Sequence, residues 1–182
     1  MYSPAEDSYL LSGVIAKIIP EMLRKNSELK FLEIGCGSGI LLETAYEAGV
    51  KRKNIFGCDV DSESVSHCKS LGFRCVNSDM FKSIKGKFDL IVFNPPYLPE
   101  EKLDKGIDTS SGKKGDKAAI SFLRNFGKHL NQKGKALFLL SSLTSMERIN
   151  KWLPRFSWRE AVRKKLFFEE IYVLEFSSKT SR

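Results

Sequence analysis

The sequence predicts an α/β protein built on a doubly wound, open and mostly parallel sheet that ends in an antiparallel hairpin. Three observations predict it. Short apolar runs alternate with segments of helical spacing along most of the chain, the pattern of βαβ units. The first of those runs stops at a glycine cluster, Gly35-Cys36-Gly37-Ser38-Gly39, as a strand does when it turns sharply into a helix. The last two runs flank Phe168-Glu169-Glu170 with nothing helical between them, so they return on each other instead of crossing over.

The elements follow in order. Lys30-Phe31-Leu32-Glu33-Ile34 reads as a buried strand. From Ser38 to about Ala48 the apolar residues Ile40, Leu41, Ala45 and Ala48 fall at helical spacing, with Gly49 as the stop. Asn54 to Asp59 is a second strand. A helix over 62–71 opens on the capping pattern Asp61-Ser62-Glu63-Ser64 and ends before Gly72. Phe73 to Val76 is a third strand, at an edge, and Phe88 to Phe93 a fourth, apolar on both faces and so central. Residues 98–115 are polar, aperiodic and read as a loop. Helical spacing resumes from Lys117 to Leu130, Ala136 to Leu140 is a buried strand, a helix follows at about Met146 to Leu153, and the hairpin spans Trp158 to Phe176.

The chain has 182 residues, room for a single domain over 1–182 with a proper core, since a globular chain of this size buries roughly 70% of its unfolded surface. No repeat or linker divides it. The hydrophobic fraction is 42% and the charged fraction 29%, which excludes disorder and fibrous classes. No apolar run approaches the roughly 18 residues of a membrane span. The opening Met1-Tyr2-Ser3-Pro4-Ala5-Glu6-Asp7 has neither a basic stretch nor a cleavage site, so no signal peptide is expected. Cys36, Cys68, Cys75 and Cys58 contain no C-x-x-C pair and only two histidines are present, so the expectation is no metal and buried thiols in a reducing, cytoplasmic setting. The net charge of +8 suits nucleic acid, ribosomes or an acidic protein as partner, or serves solubility alone, because the basic residues are scattered.

Four segments carry chemistry. Glu33-Ile34-Gly35-Cys36-Gly37-Ser38-Gly39 lets the backbone approach a ligand where a Cβ would collide. Its G-x-G-x-G spacing, with the acid before the glycines, favours a nucleoside over a dinucleotide pyrophosphate. Asp59, at the end of the second strand, can accept both hydroxyls of a ribose, or cap the next helix; Asp61 is better placed as that cap. Asp79 with its apolar neighbour Met80 can take the exocyclic amine of an adenine and cover the ring, or be an ordinary loop aspartate. Asn94-Pro95-Pro96-Tyr97 follows the central strand. The prolines remove backbone donors and leave carbonyl acceptors, Asn94 adds a side-chain oxygen, and Tyr97 adds an aromatic face. Together they suit a planar –NH2 group stacked on Tyr97 and donating to Asn94 and the Pro95 carbonyl.

These segments resemble the class I S-adenosylmethionine-dependent methyltransferases of the amino-methylating type. The opening Tyr2-Ser3-Pro4-Ala5-Glu6-Asp7-Ser8 narrows the resemblance to the short glutamine N5-methyltransferases of archaea and eukaryotes that modify translation termination (peptide chain release) factors, a branch of the HemK-like family. It covers nearly the whole chain and implies a Rossmann-like sheet of seven strands. It implies S-adenosylmethionine as methyl donor and S-adenosylhomocysteine as product. Glu33, Gly35, Gly37 and Gly39 would line the cofactor, with Asp59 on the ribose, Asp79 and Met80 on the adenine, and Ser8 near the carboxylate. Asn94, beside the cofactor, would act with Pro95 and Tyr97 on the substrate amide. The resemblance further implies a termination factor as substrate and a small zinc-binding activator protein as heterodimer partner. The loop after the quartet departs from the family, reading Thr109-Ser110-Ser111-Gly112, which leaves substrate identity open. An adenine-N6 methyltransferase acting on DNA or RNA uses the same quartet and is the second reading. Lysine methylation comes after it, and a non-catalytic methyltransferase-like subunit last.

Overall fold

A computed structural model describes residues 4–95, 114–144 and 146–177. Helix α1 (Glu6–Lys25) precedes β1 (Phe31–Ile34), α2 (Ile40–Glu47), β2 (Ile55–Asp59), α3 (Ser62–Ser70), β3 (Arg74–Asn77) and β4 (Phe88–Phe93). Then come α4 (Lys114–Asn125), β5 (Leu130–Ser141), α5 (Met146–Asn150), β6 (Ser157–Lys165) and β7 (Glu170–Ser177). The seven strands form one sheet in the order β3-β2-β1-β4-β5-β7-β6. The pairs β2–β3, β1–β2, β1–β4 and β4–β5 are parallel, and β7 runs antiparallel between β5 and β6. The expected doubly wound sheet, its edge strand and its terminal hairpin are all present.

Alternation along the strands sends side chains into two cores. Phe31, Leu90, Val92, Leu137, Leu139 and Val173 pack on one face with Leu11, Ile15 and Ile19 of α1 and Leu41 and Leu42 of α2. Leu32, Ile34, Ile91, Phe93, Phe138 and Phe176 pack on the other with Phe122 and Phe126. Stacked rings dominate the second core: Phe93 lies 5.1 Å from Phe122 and 5.8 Å from Phe138.

Several boundaries differ from the expectation. Helix α1 was not expected; Gly13 and Pro20 weaken it locally, yet burial of one apolar stripe, Leu11, Val14, Ile15 and Ile19, overrides that propensity. The helix expected to run to Leu130 stops at Asn125, and a 3-10 turn, Phe126–Lys128, leads into a β5 that starts at Leu130. The pairing of β4 with β5 shifts between Phe88 and Leu90, so polar residues 131–133 belong to an irregular strand that alternation does not reveal. Helix α5 ends at Asn150, short of Leu153, where a 3-10 turn containing Pro154 begins. The loop expected over 98–115 lies outside the described residues, apart from Lys114 and Gly115 in α4.

The chain winds outward from β1 through β2 to β3 and restarts at β4 on the other flank of β1. The crevice at that reversal, beyond the carboxyl ends of β1 and β4, is where sheets of this kind bind ligands.

Candidate active site

Because β1 to β4 are parallel, their carboxyl ends share one edge of the sheet, and the sequence-marked residues all follow those ends. After β1, Gly35, Gly37 and Gly39 take φ of 71°, 42° and 81°, the left-handed region that other residues avoid. The loop is tied to β2, since the N–H groups of Gly35 and Cys36 both donate to the Cys58 carbonyl at 2.8 and 2.9 Å. A Cβ at Gly37 would meet nothing within 4 Å, so the backbone there stands open.

Glu33 is buried in β1, with only 3% of its surface exposed, and its Oε2 has no hydrogen-bond partner. Burial pushes its carboxyl well above the usual range, and the nearby Cys68 and Asp59 push the same way. An unpartnered buried carboxylate oxygen is costly unless a ligand supplies the donor.

Asp61 caps α3, its oxygens accepting from the N–H groups of Glu63 and Ser64 at 3.1 Å each. Asp59 has separate work. Its Oδ2 accepts from Gly37 N–H at 2.9 Å and its Oδ1 from Asp61 N–H at 3.0 Å. A carboxylate has about four acceptor positions, so two bonds to backbone leave room for two more. Asp79 follows β3 and is exposed, with its Oδ2 2.7 Å from Lys82 Nζ. Met80 beside it has φ of 53°, the only non-glycine residue with positive φ among those described. A side chain in that region marks local strain of the kind that collects at binding sites.

Asn94 and Pro95 follow β4, with Pro95 buried. Asn94 Nδ2 donates to Asp7 Oδ2 at 3.0 Å and lies 3.5 Å from Ser8 Oγ. Asp7 and Ser8 are buried in the first turn of α1, where Asp7 Oδ1 also accepts from the Ser8 N–H at 2.7 Å. The helix the sequence reading passed over therefore supplies the group that orients Asn94. Asp7 itself was not among the expected site residues; its signal was an acid beside Ser8 at the start of an apolar stripe. Tyr97 and the Thr109–Gly112 departure lie outside the described residues.

The family model described as methyltransferase small domain matches residues 14–157. The chain belongs to that family. It is thereby a class I, S-adenosylmethionine-dependent methyltransferase. Among relatives of this methyltransferase, a Methanocaldococcus jannaschii protein provisionally named a protein N5-glutamine methyltransferase is 34% identical, over 96% of this chain and 90% of its own. The ribosomal RNA small subunit methyltransferase C of Salmonella arizonae is 28% identical over 72% of this chain, which spans only 42% of that relative. In structure, the methyltransferase resembles the E. cuniculi Mtq2–Trm112 complex responsible for methylation of the eRF1 translation termination factor, with a TM-score of 0.66, 21% identity and 98% of each chain covered. It also resembles the T. thermophilus 16S rRNA N2 G1207 methyltransferase in complex with AdoMet and guanosine, with a TM-score of 0.62, 17% identity, and 98% of this chain and 44% of that one covered.

Proposed function

We propose that this methyltransferase carries the methyl group of S-adenosylmethionine to a planar amide nitrogen, the glutamine side chain of a translation termination factor. The observation that carries the reading is the anchored amide of Asn94, fixed by Asp7 at the carboxyl end of β4, beside the glycine loop of β1. The likeness to a relative named for glutamine methylation, along almost its whole length, supports it.

The donor fits the residues present: the orphaned Glu33 Oε2 lacks a hydrogen-bond partner that a ligand can supply, and the open loop at Gly37 offers backbone to a bulky ligand. Glu33 and Gly35 to Gly39 hold its methionine and ribose part, with Asp59 on the ribose hydroxyls, Asp79 and Met80 on the adenine, and Ser8 near the carboxylate. When bound, the cofactor supplies a sulfonium methyl already activated for transfer. The chain's task is alignment. An amide nitrogen is a weak nucleophile because its lone pair is shared with the carbonyl. Asn94 and the Pro95 carbonyl accept its two N–H groups and aim the nitrogen, a restraint worth most as the nitrogen pyramidalises. Tyr97 covers the amide plane. The proton leaves to water after transfer.

A small zinc-binding activator protein completes the active species in this reading. Strand β3 at the sheet edge is its docking place, with Val76 exposed and one charge, Arg74. A second reading, an adenine in nucleic acid as acceptor, is favoured by the net charge of +8 and the ribosomal RNA methyltransferase relatives. Incubation with labelled S-adenosylmethionine, followed by mass spectrometry of a termination factor and of nucleic acid, tests both. Label on a glutamine of the factor supports the proposal; label confined to a base overturns it.

A further inference from the structure

Three of the four cysteines, each on a different element, meet behind the glycine loop. Cys36 comes from the loop itself, Cys68 from α3 and Cys75 from β3, and their Sγ atoms all lie within 4.8 Å of one another. All three are buried, at 2%, 0% and 4% exposure. Cys58, the fourth, packs in the other core, with its Sγ 3.4 Å from the Met80 carbonyl.

The backbone makes room for this meeting. Gly57 sits inside β2, where glycine weakens a strand, and a Cβ there would come within 2.9 Å of Cys75 Sγ and 3.1 Å of Cys36 Cβ. At Gly39 a Cβ would lie 3.2 Å from Cys68 Sγ. Ordinary apolar packing of three small side chains does not call for a glycine in the strand beside them. Cys68 Sγ lies 3.6 Å from the Gly37 carbonyl and 4.0 Å from the Cys36 carbonyl, which keeps it against the loop.

We propose that Cys36, Cys68 and Cys75 form a three-sulfur site for a soft cation of low coordination number, of the class of monovalent copper. Thiolate sulfur selects soft ions. A structural zinc ion wants four ligands, and among the described residues no histidine or carboxylate joins the three sulfurs at that range. A three-coordinate soft ion needs no fourth ligand. On loading, S–H bonds give way to sulfur–metal bonds and the released protons go to solvent; no electron changes hands. The bound ion ties the glycine loop to α3 and β3 at their buried ends. The proposal does not depend on which amide or base is methylated.

The test is a titration of the fully reduced protein with monovalent copper, without oxygen, against bicinchoninate as coloured competitor. One equivalent per chain should be withdrawn from the competitor, with sulfur-to-copper charge-transfer absorption and three sulfur neighbours by X-ray absorption. Cys36→Ser, Cys68→Ser and Cys75→Ser should each weaken retention by about tenfold or more, while Cys58→Ser retains it. Gly57→Ala should weaken it as well, because it displaces sulfurs without removing one. Circular dichroism separates loss of the site from loss of the fold. Should a serine variant fail to fold, the count of sulfur neighbours in the wild type and the behaviour of Gly57→Ala decide. No copper withdrawn, retention by all three serine variants, or loss in Cys58→Ser alone overturns the assignment.

Discussion

Asp59 and Asp61 stand two residues apart, are chemically identical, and hold different things. Asp61 spends its oxygens on the first turn of α3, whereas Asp59 reaches across to Gly37 and keeps acceptor capacity at the ligand edge. Asp59→Ala should therefore weaken S-adenosylmethionine binding by about 1.5–3 kcal/mol for each charge-assisted bond lost. Asp61→Ala should lower the melting temperature and leave that affinity unchanged. Calorimetry on both folded variants separates the roles, and equal loss of affinity in the two would refute the division. In the proposed reaction Asn94 acts later. Its amide is fixed by Asp7, so Asn94→Ala should leave cofactor affinity nearly intact while kcat falls below about a tenth of wild type, a loss of more than ~1.4 kcal/mol in transition-state stabilisation. Single-turnover rates that stay above that level would remove Asn94 from the reacting centre.

At the scale of elements, β3 is one edge of the sheet and β6 the other. Arg74 packs over the Phe56 ring at 4.9 Å and donates to the Lys53 carbonyl, so its charge is turned along the sheet and guards the outer backbone poorly. Amide exchange over residues 73–77 should slow when an activator of the proposed kind is added; equal protection with and without it places the docking surface elsewhere. This edge position was legible in the sequence because crossover order follows from strand and helix alternation. The positions of β1, β2 and β4 and the capped start of α3 were legible for the same local reasons: apolar runs and turn chemistry are written residue by residue. What escaped is set by contacts distant in sequence. Helix α1 forms against Gly13 and Pro20 because strands 31 to 173 offer it an apolar face. The first half of β5 is polar, and only its register against β4 makes it a strand. Asp7 meets Asn94 across 87 residues, and Cys36, Cys68 and Cys75 meet through three elements, so no spacing along the chain announces either. The expectation of no metal rested on the missing C-x-x-C pair and on there being only two histidines.

Over the whole molecule, the carboxylates divide into two groups that pull stability in opposite directions with pH. Lys51 and Asn54 hydrogen-bond Glu28 and hold it down to about 2, and Arg163 holds Glu160 low. Burial pushes Glu175 up, but Arg159 and Lys135 at 2.8 and 2.7 Å outweigh it and its carboxyl ends below the usual range. These groups add stability that is present above the unfolded carboxylate value of about 4.3 and is lost as pH falls through their lower folded values. Glu33 is the opposite case. Its folded carboxyl keeps the proton well above that value, so the unfolded chain binds fewer protons over the interval and stability falls as pH rises through it. The fall continues until the folded group itself ionises. Glu33→Gln keeps the shape and removes the titration. Without cofactor, the variant should match the wild type's pH trend on the acid side, where Glu33 is protonated in both states, and gain on it steadily as pH rises above about 4.3. Urea midpoints taken from acid to alkaline pH for both proteins measure this. A difference between them that stays constant across the range would mean that Glu33 ionises in the fold as readily as in the unfolded chain. Its buried, unpartnered oxygen would then have a partner that the protein already supplies.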